Sequence, residues 1–177
     1  MERKYAEFAA TKACELLAID SPSGYTRKAA TWVKEAFEAL GFAAKITTKG
    51  GVLADLGGAD KDDALFLQAH TDTLGAMVAE VKANGRLKLT PLGGLRAENA
   101  ETENVRVHTR TGKIIEGTVQ LCNDSVHVNG EYGETKRTFD TVEAVLDEDV
   151  KTAEDTRALG IEVGDIVCLE PRTRITS

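Results

Sequence analysis

Three observations predict an α/β segment interrupted by a compact β module. Two apolar stripes at helical spacing open the chain. A run apolar on consecutive positions follows them, the pattern of a strand buried on both faces. From Ala76 to about Leu169 the pattern becomes nearly all β, with turns about every 8–12 residues, which suits a small barrel or sandwich.

The first stripe is Tyr5, Ala9, Ala13 and Leu16, within a helix predicted from Arg3 to Ile19. Ser21-Pro22-Ser23-Gly24 breaks it, because proline restricts the residue before it and glycine frees the backbone. A second helix is predicted from about Thr26 to Leu40, with Ala29, Val33, Ala36, Phe37 and Leu40 on one face and Gly41 as its left-handed stop. Phe42, Ala44 and Ile46 alternate, Gly50-Gly51 turns, and Val52 to Leu56 returns as a hairpin. Ala64-Leu65-Phe66-Leu67 is the strand expected to be buried on both faces.

In the β part, Asn84-Gly85 joins Met77–Lys82 to Arg86–Pro91, the strongest short-range hairpin signal. Val105, Val107 and Thr109 alternate, Thr111-Gly112 turns, and Ile114 to Leu121 follows as a strand. Residues 123–140 read as a polar loop, Val142 to Leu146 as a strand, Val150 to Leu159 as a helix ended by Gly160, and Ile166 to Leu169 as the last strand. Both long helices precede the buried strand, so too little cover is available for its two faces. The α/β part is therefore expected to be incomplete, the rest supplied by further chain or by a partner.

Composition narrows the function. Hydrophobic residues make up 42% and charged ones 29%, enough apolar content for a real core. The net charge of −7 argues against a general nucleic-acid binder, which needs clustered Lys and Arg. No unbroken apolar run exceeds four residues, whereas a membrane span needs about 20 and a signal-peptide core about 7–15. Three cysteines with no CxxC spacing argue against a disulfide framework or a thiolate zinc site, and place the chain in the cytoplasm by default.

His70-Thr71-Asp72 directly follows the expected buried strand, and ligands of open α/β sheets gather beyond strand carboxyl ends. Imidazole is a common zinc ligand, and a carboxylate two residues on either ligates or takes the other ring N–H. His108 reads as a surface histidine on a strand, and His127, between Val126 and Val128, as a structural loop residue. Cys122 and Cys168 read as small buried strand residues and Cys14 as a helix-flank residue. Asp147-Glu148-Asp149 lacks the spaced oxygen ligands and turn glycine of a calcium loop. Gly93-Gly94 lacks the context of a phosphate cradle.

Four segments carry a family resemblance: Pro22-Ser23-Gly24-Tyr25, Leu67 through Gly75 (LQAHTDTLG), Pro91-Leu92-Gly93-Gly94, and Gly160 through Asp165 (GIEVGD). In their order and rough spacing they resemble the glutamyl/tetrahedral aminopeptidases, metallopeptidase family forty-two, often labelled endoglucanase. Thr73 stands where that family usually has Glu, and Gly51 where a Gly-Asn pair is common. The resemblance implies a hydrolase acting on peptide bonds, with two divalent metal ions, zinc or cobalt, and peptide substrates. It implies a zinc-peptidase α/β domain with an inserted β-barrel, PDZ-like dimerisation domain. Residues 1–74 would then begin the α/β domain, 75–170 form the insert, and 171–177 return towards the α/β domain.

His70 matches the family's first metal ligand, and Asp72 the catalytic aspartate that orients it. The remaining ligands and the general base belong to the family's C-terminal half, so the chain alone is expected to be inactive. Homo-oligomers are implied as well, dimers through the β module and a tetrahedral dodecamer in the complete protein. Two other readings stay open: another co-catalytic zinc hydrolase, such as a deacylase or carboxypeptidase, and a β-barrel assembly module. The start of the β module within ten residues of Asp72 favours the aminopeptidase over the first. A glycosidase would need two carboxylates flanking a sugar site, and no such pair is specified.

Overall fold

The computed structural model describes residues 3–60 and 62–176. It divides into two compact units, one reaching up to Thr73 and including the segment from Pro171 onward, the other spanning Leu74–Glu170.

The first unit holds α1 (Arg3–Leu17), α2 (Arg27–Ala39) and a small hairpin of β1 (Ala44–Ile46) and β2 (Val52–Ala54). Ion pairs one helical turn apart, Arg3–Glu7 and Lys34–Glu38 at 2.7 Å each, line the exposed helix faces. The stripe expected on α1 is not buried: the helix has no buried residue, and Tyr5 is 57% exposed. A stripe is buried only where a second apolar surface faces it. Here α2 offers α1 the Trp32 ring, which sits under the Lys12 ammonium at 5.5 Å. In α2 the expected face is realised at Ala29, which has no exposed surface, while Leu40 stays exposed.

The end of α2 shows why Gly41 stands there. Its φ of 89° lets its N–H reach Glu38 O at 2.9 Å while Phe42 N–H reaches Phe37 O at 3.1 Å, the paired bonds that close a helix on a left-handed residue. The hairpin follows with Ala44 opposite Ala54 and Ile46 opposite Val52.

The expected buried strand is corrected. Ala64 to Leu67 adopts no strand, and Leu65, Phe66 and Leu67 are 85%, 71% and 74% exposed. An extended segment becomes a strand only when a neighbour takes its N–H and C=O groups. Among the described residues the nearby pairing is one isolated parallel bridge, Pro22 with Thr73.

The second unit is the closed barrel. Its strands are β3 (Gly75–Val81), β4 (Leu87–Leu92), β5 (Asn104–His108), β6 (Ile114–Leu121), β7 (Val142–Leu146) and β8 (Ile166–Leu169). They close in the order β3-β4-β7-β6-β5-β8, every pairing antiparallel. Closure leaves no free edge. Alternate residues fill the interior: Val78, Leu87, Val105, Val107, Val119 and Val167 are at most 1% exposed. Two short helices, α3 (Ala97–Ala100) and α4 (Ala153–Ala158), sit in the connections, and Ala97, Ala100 and Ile161 join the core. At Gly117 the β6 and β7 backbones approach so closely that a Cβ would press on the Val145 carbonyl oxygen, with Leu146 Cα 3.2 Å away.

Candidate functional site

The site begins where two segments of the first unit run side by side. Past the end of α1 the chain bends at Ile19 and turns again at Ser23-Gly24, and Ser21 between them has no exposed surface. Thr73 N–H donates to Ser21 O at 2.8 Å, and the Ser21 hydroxyl donates to Thr71 O at 2.9 Å. Asp72, between these two anchored residues, is thereby held, with His70 one residue before them, although no strand among the described residues flanks the segment.

His70 Nδ1 lies 3.1 Å from Asp72 Oδ1 and 3.1 Å from Asp72 O. A carbonyl and an ionised carboxylate only accept, so Nδ1 carries the proton, and in the neutral ring Nε2 keeps its lone pair. The ring is 86% exposed and the Asp72 side chain 39%. Ser23 Oγ donates to the other carboxylate oxygen, Asp72 Oδ2, at 2.5 Å. That bond is the main reason the Asp72 carboxyl sits below the usual range; slight burial opposes it and His70 adds to it. An ionised Asp72 facing Nδ1–H and a free Nε2 form one half of a carboxylate–histidine–metal arrangement, chemically suited to a borderline cation such as zinc.

The other histidines lie elsewhere. His108 is buried at 9% exposure, not the surface residue expected. It ends β5, held between Ile114 of β6 and Ile166 of β8, so pairing on both sides encloses it. His127 is exposed in the loop between β6 and β7. Of the cysteines, Cys168 is buried in β8 as expected and Cys14 is half-buried. Cys122 is exposed, a correction that follows from its place one residue beyond β6. Asp149 of the acidic triplet pairs with Lys151 at 3.1 Å.

Two residues at this site were missed in the sequence. Ser21 and Ser23 read there as a helix break, and they lie 50 and 49 positions from the groups they bind. No periodicity or spacing signals a contact of that range.

The family profile of M42 glutamyl aminopeptidases matches residues 50–177. The protein YhfE of Bacillus subtilis strain 168 is 40% identical over 163 residues, covering 92% of this chain and 47% of that relative. A TET aminopeptidase from a marine-sediment archaeon of the Thaumarchaeota superposes with a TM-score of 0.77 at 21% identity, over 97% of this chain and 47% of that one. The Pyrococcus horikoshii TET1 peptidase, described as assembling into a tetrahedron or a large octahedral shell, gives 0.72 at 18% identity, over 92% and 46%. The chain thus spans about half the length of the relatives it matches.

Proposed function

Because the chain belongs to the M42 glutamyl aminopeptidase family, we propose that it is the N-terminal portion of a dinuclear metal-dependent aminopeptidase that removes N-terminal residues from peptides. The observation that carries this reading is the His70–Asp72 pair, with Nδ1 on the carboxylate at 3.1 Å and the ring open to solvent. Two divalent ions, zinc or cobalt, would supply Lewis-acid polarisation of the scissile carbonyl. His70 would hold one of them through Nε2. Asp72 would orient the ring, keep the proton on Nδ1 and raise the basicity of the ligating nitrogen.

A catalytic zinc takes three protein ligands. Among the described residues of the first unit, one histidine meets one carboxylate here, so in this reading the chain alone is inactive. Residues 1–74 begin a zinc-peptidase-like α/β domain, 75–170 form a PDZ-like dimerisation barrel, and 171–177 return towards the first domain. Dimerisation through the barrel, growth to a dodecamer in the complete protein and cytoplasmic residence belong to the same reading. The assembly described for the Pyrococcus horikoshii relative supports it. A second reading, an assembly module without catalysis, is favoured by one feature: the barrel closes on a core of its own.

The experiment is hydrolysis of a panel of aminoacyl-arylamides with added zinc or cobalt. It compares this chain with one extended to the length of its relatives. The short chain shows no turnover and the extended one does. In the extended protein His70→Ala loses one metal and nearly all activity, while Asp72→Ala weakens metal affinity roughly 10–100-fold. Turnover by the short chain that survives His70→Ala would sink the assignment. A metal-free dimer that stays inactive when extended would favour the assembly module.

A further inference from the structure

Ser21-Pro22-Ser23 lies against the His70–Thr73 segment in a way the aminopeptidase reading does not require. Its contacts divide into two kinds. Ser21 grips backbone, through its hydroxyl on Thr71 O and its carbonyl on Thr73 N–H. Ser23 grips a side chain, through its hydroxyl on Asp72 Oδ2 at 2.5 Å. The parallel bridge between Pro22 and Thr73 sits between them and sets the register.

The second kind of contact has a chemical consequence. The last torsion of an aspartate is broad and nearly two-fold, so a partly exposed carboxylate rotates readily. The Asp72 side chain is 39% exposed, so water competes for the carboxylate. A hydroxyl donor on Oδ2 removes that freedom and leaves Oδ1 turned to His70 Nδ1 at 3.1 Å. Being neutral, it leaves the full negative charge facing the imidazole, which a lysine or arginine in its place would offset.

We propose that Ser23 is a positioning residue of the candidate metal site: by anchoring Asp72 Oδ2 it holds Oδ1 on His70 Nδ1–H, reinforces the tautomer that the Asp72 backbone carbonyl also favours, and presents Nε2 to a divalent cation. The cation rests on the aminopeptidase reading above, whereas the tautomer rests on the hydrogen bonds alone. Ser21 holds the backbone beneath the pair, and Ser23 makes the pair directional.

The test is the ring-nitrogen NMR spectrum of His70 in the metal-free 177-residue chain. It is recorded at about pH 8, where an ordinary imidazole is neutral. The wild type shows Nδ1 protonated and Nε2 bare. Ser23→Ala moves the tautomer ratio towards Nε2–H by about twofold or more, and Ser23→Thr, which keeps the hydroxyl, restores it. Zinc ion is then titrated into the protein extended to the length of its relatives while following its His70 signals. Ser23→Ala weakens the apparent affinity about 10-fold, the low end for an outer partner of a ligating histidine.

A residue serving only to shape the loop would change stability and leave the tautomer ratio alone. An unchanged ratio in Ser23→Ala, with amide spectra showing an intact fold, overturns the proposal; so does a Ser23→Thr variant that folds and fails to restore it. Zinc that leaves His70 unmoved in the extended wild type overturns the metal reading instead, and the tautomer ratio still decides the role of Ser23.

Discussion

Glu143 shows how a single residue can be bound more tightly than its position suggests. It lies on β7 with its side chain only 1% exposed, between Lys82, which donates to Oε2, and Arg86, whose Nη1 donates to Oε1 at 2.6 Å. Burial alone would raise its pKa, yet the hydrogen bonds and charges of the two cations outweigh burial and leave the carboxyl below the usual glutamate range. Lys82 is pushed up in turn, chiefly by its bond to Glu143. A lowered folded-state pKa contributes stability above the unfolded value, about 4.3, that is lost as pH falls through the folded value. The raised Lys82 pKa contributes below about 10.4 and is lost as pH rises further. Glu143→Gln is expected to cost about 3 kcal/mol near neutral pH, the lower end for a broken buried pair, because both cations keep about a third of their surface in water. Urea unfolding from about pH 7 to about pH 3 should show the gap between wild type and variant narrowing. A constant gap would mean the cost comes from packing rather than charge.

At the scale of elements, α4 is held by its start and by one long-range bond. Thr152 accepts from Asp155 N–H at 3.2 Å, and Asp155 Oδ2 accepts from Thr152 N–H at 2.9 Å, a reciprocal cap for a helix of six residues. Asp155 is held below the usual aspartate range first by the Lys151 backbone N–H and then by the Thr152 bonds, with slight burial opposing. Thr156, with no exposed surface, donates its hydroxyl to Gly85 O at 2.7 Å and so ties α4 to the turn between β3 and β4. Thr152→Ala should cost about 1 kcal/mol, because water can serve an exposed helix start. Thr156→Val should cost more, about 2 kcal/mol, since it strands a carbonyl away from solvent. Chemical denaturation of both variants checks the order, and a cap variant that costs more than Thr156→Val would refute it. The strands themselves were legible in advance: Val105, Val107 and the Asn84-Gly85 turn carry local signals that closure into a barrel reinforces.

For the whole molecule, the two units differ in how far they satisfy themselves. The barrel encloses a core of its own, while the first unit leaves the consecutive Leu65, Phe66 and Leu67 in water and has no buried residue on α1. Contiguous exposed apolar surface drives association. The chain is therefore expected to be at least a dimer at roughly tens of micromolar. Light scattering checks this, and a strictly monomeric mass across that range would count against it.

Legible along the chain were its local, periodic features: α1, α2 and α4 with their stops, the barrel strands with their turns, and the two-residue spacing of His70 and Asp72, though not α3. These follow from side-chain alternation, glycine conformation and short spacing, which each segment carries alone. Long-range packing settles that Ala64 to Leu67 lies exposed, that His108 is enclosed, that Glu143 sits between two cations, and that Ser23 reaches Asp72. Each depends on a partner far along the chain, or on the lack of one among the described residues. Burial and hydrogen bonding belong to pairs of surfaces, and a sequence pattern states one surface of the pair at a time.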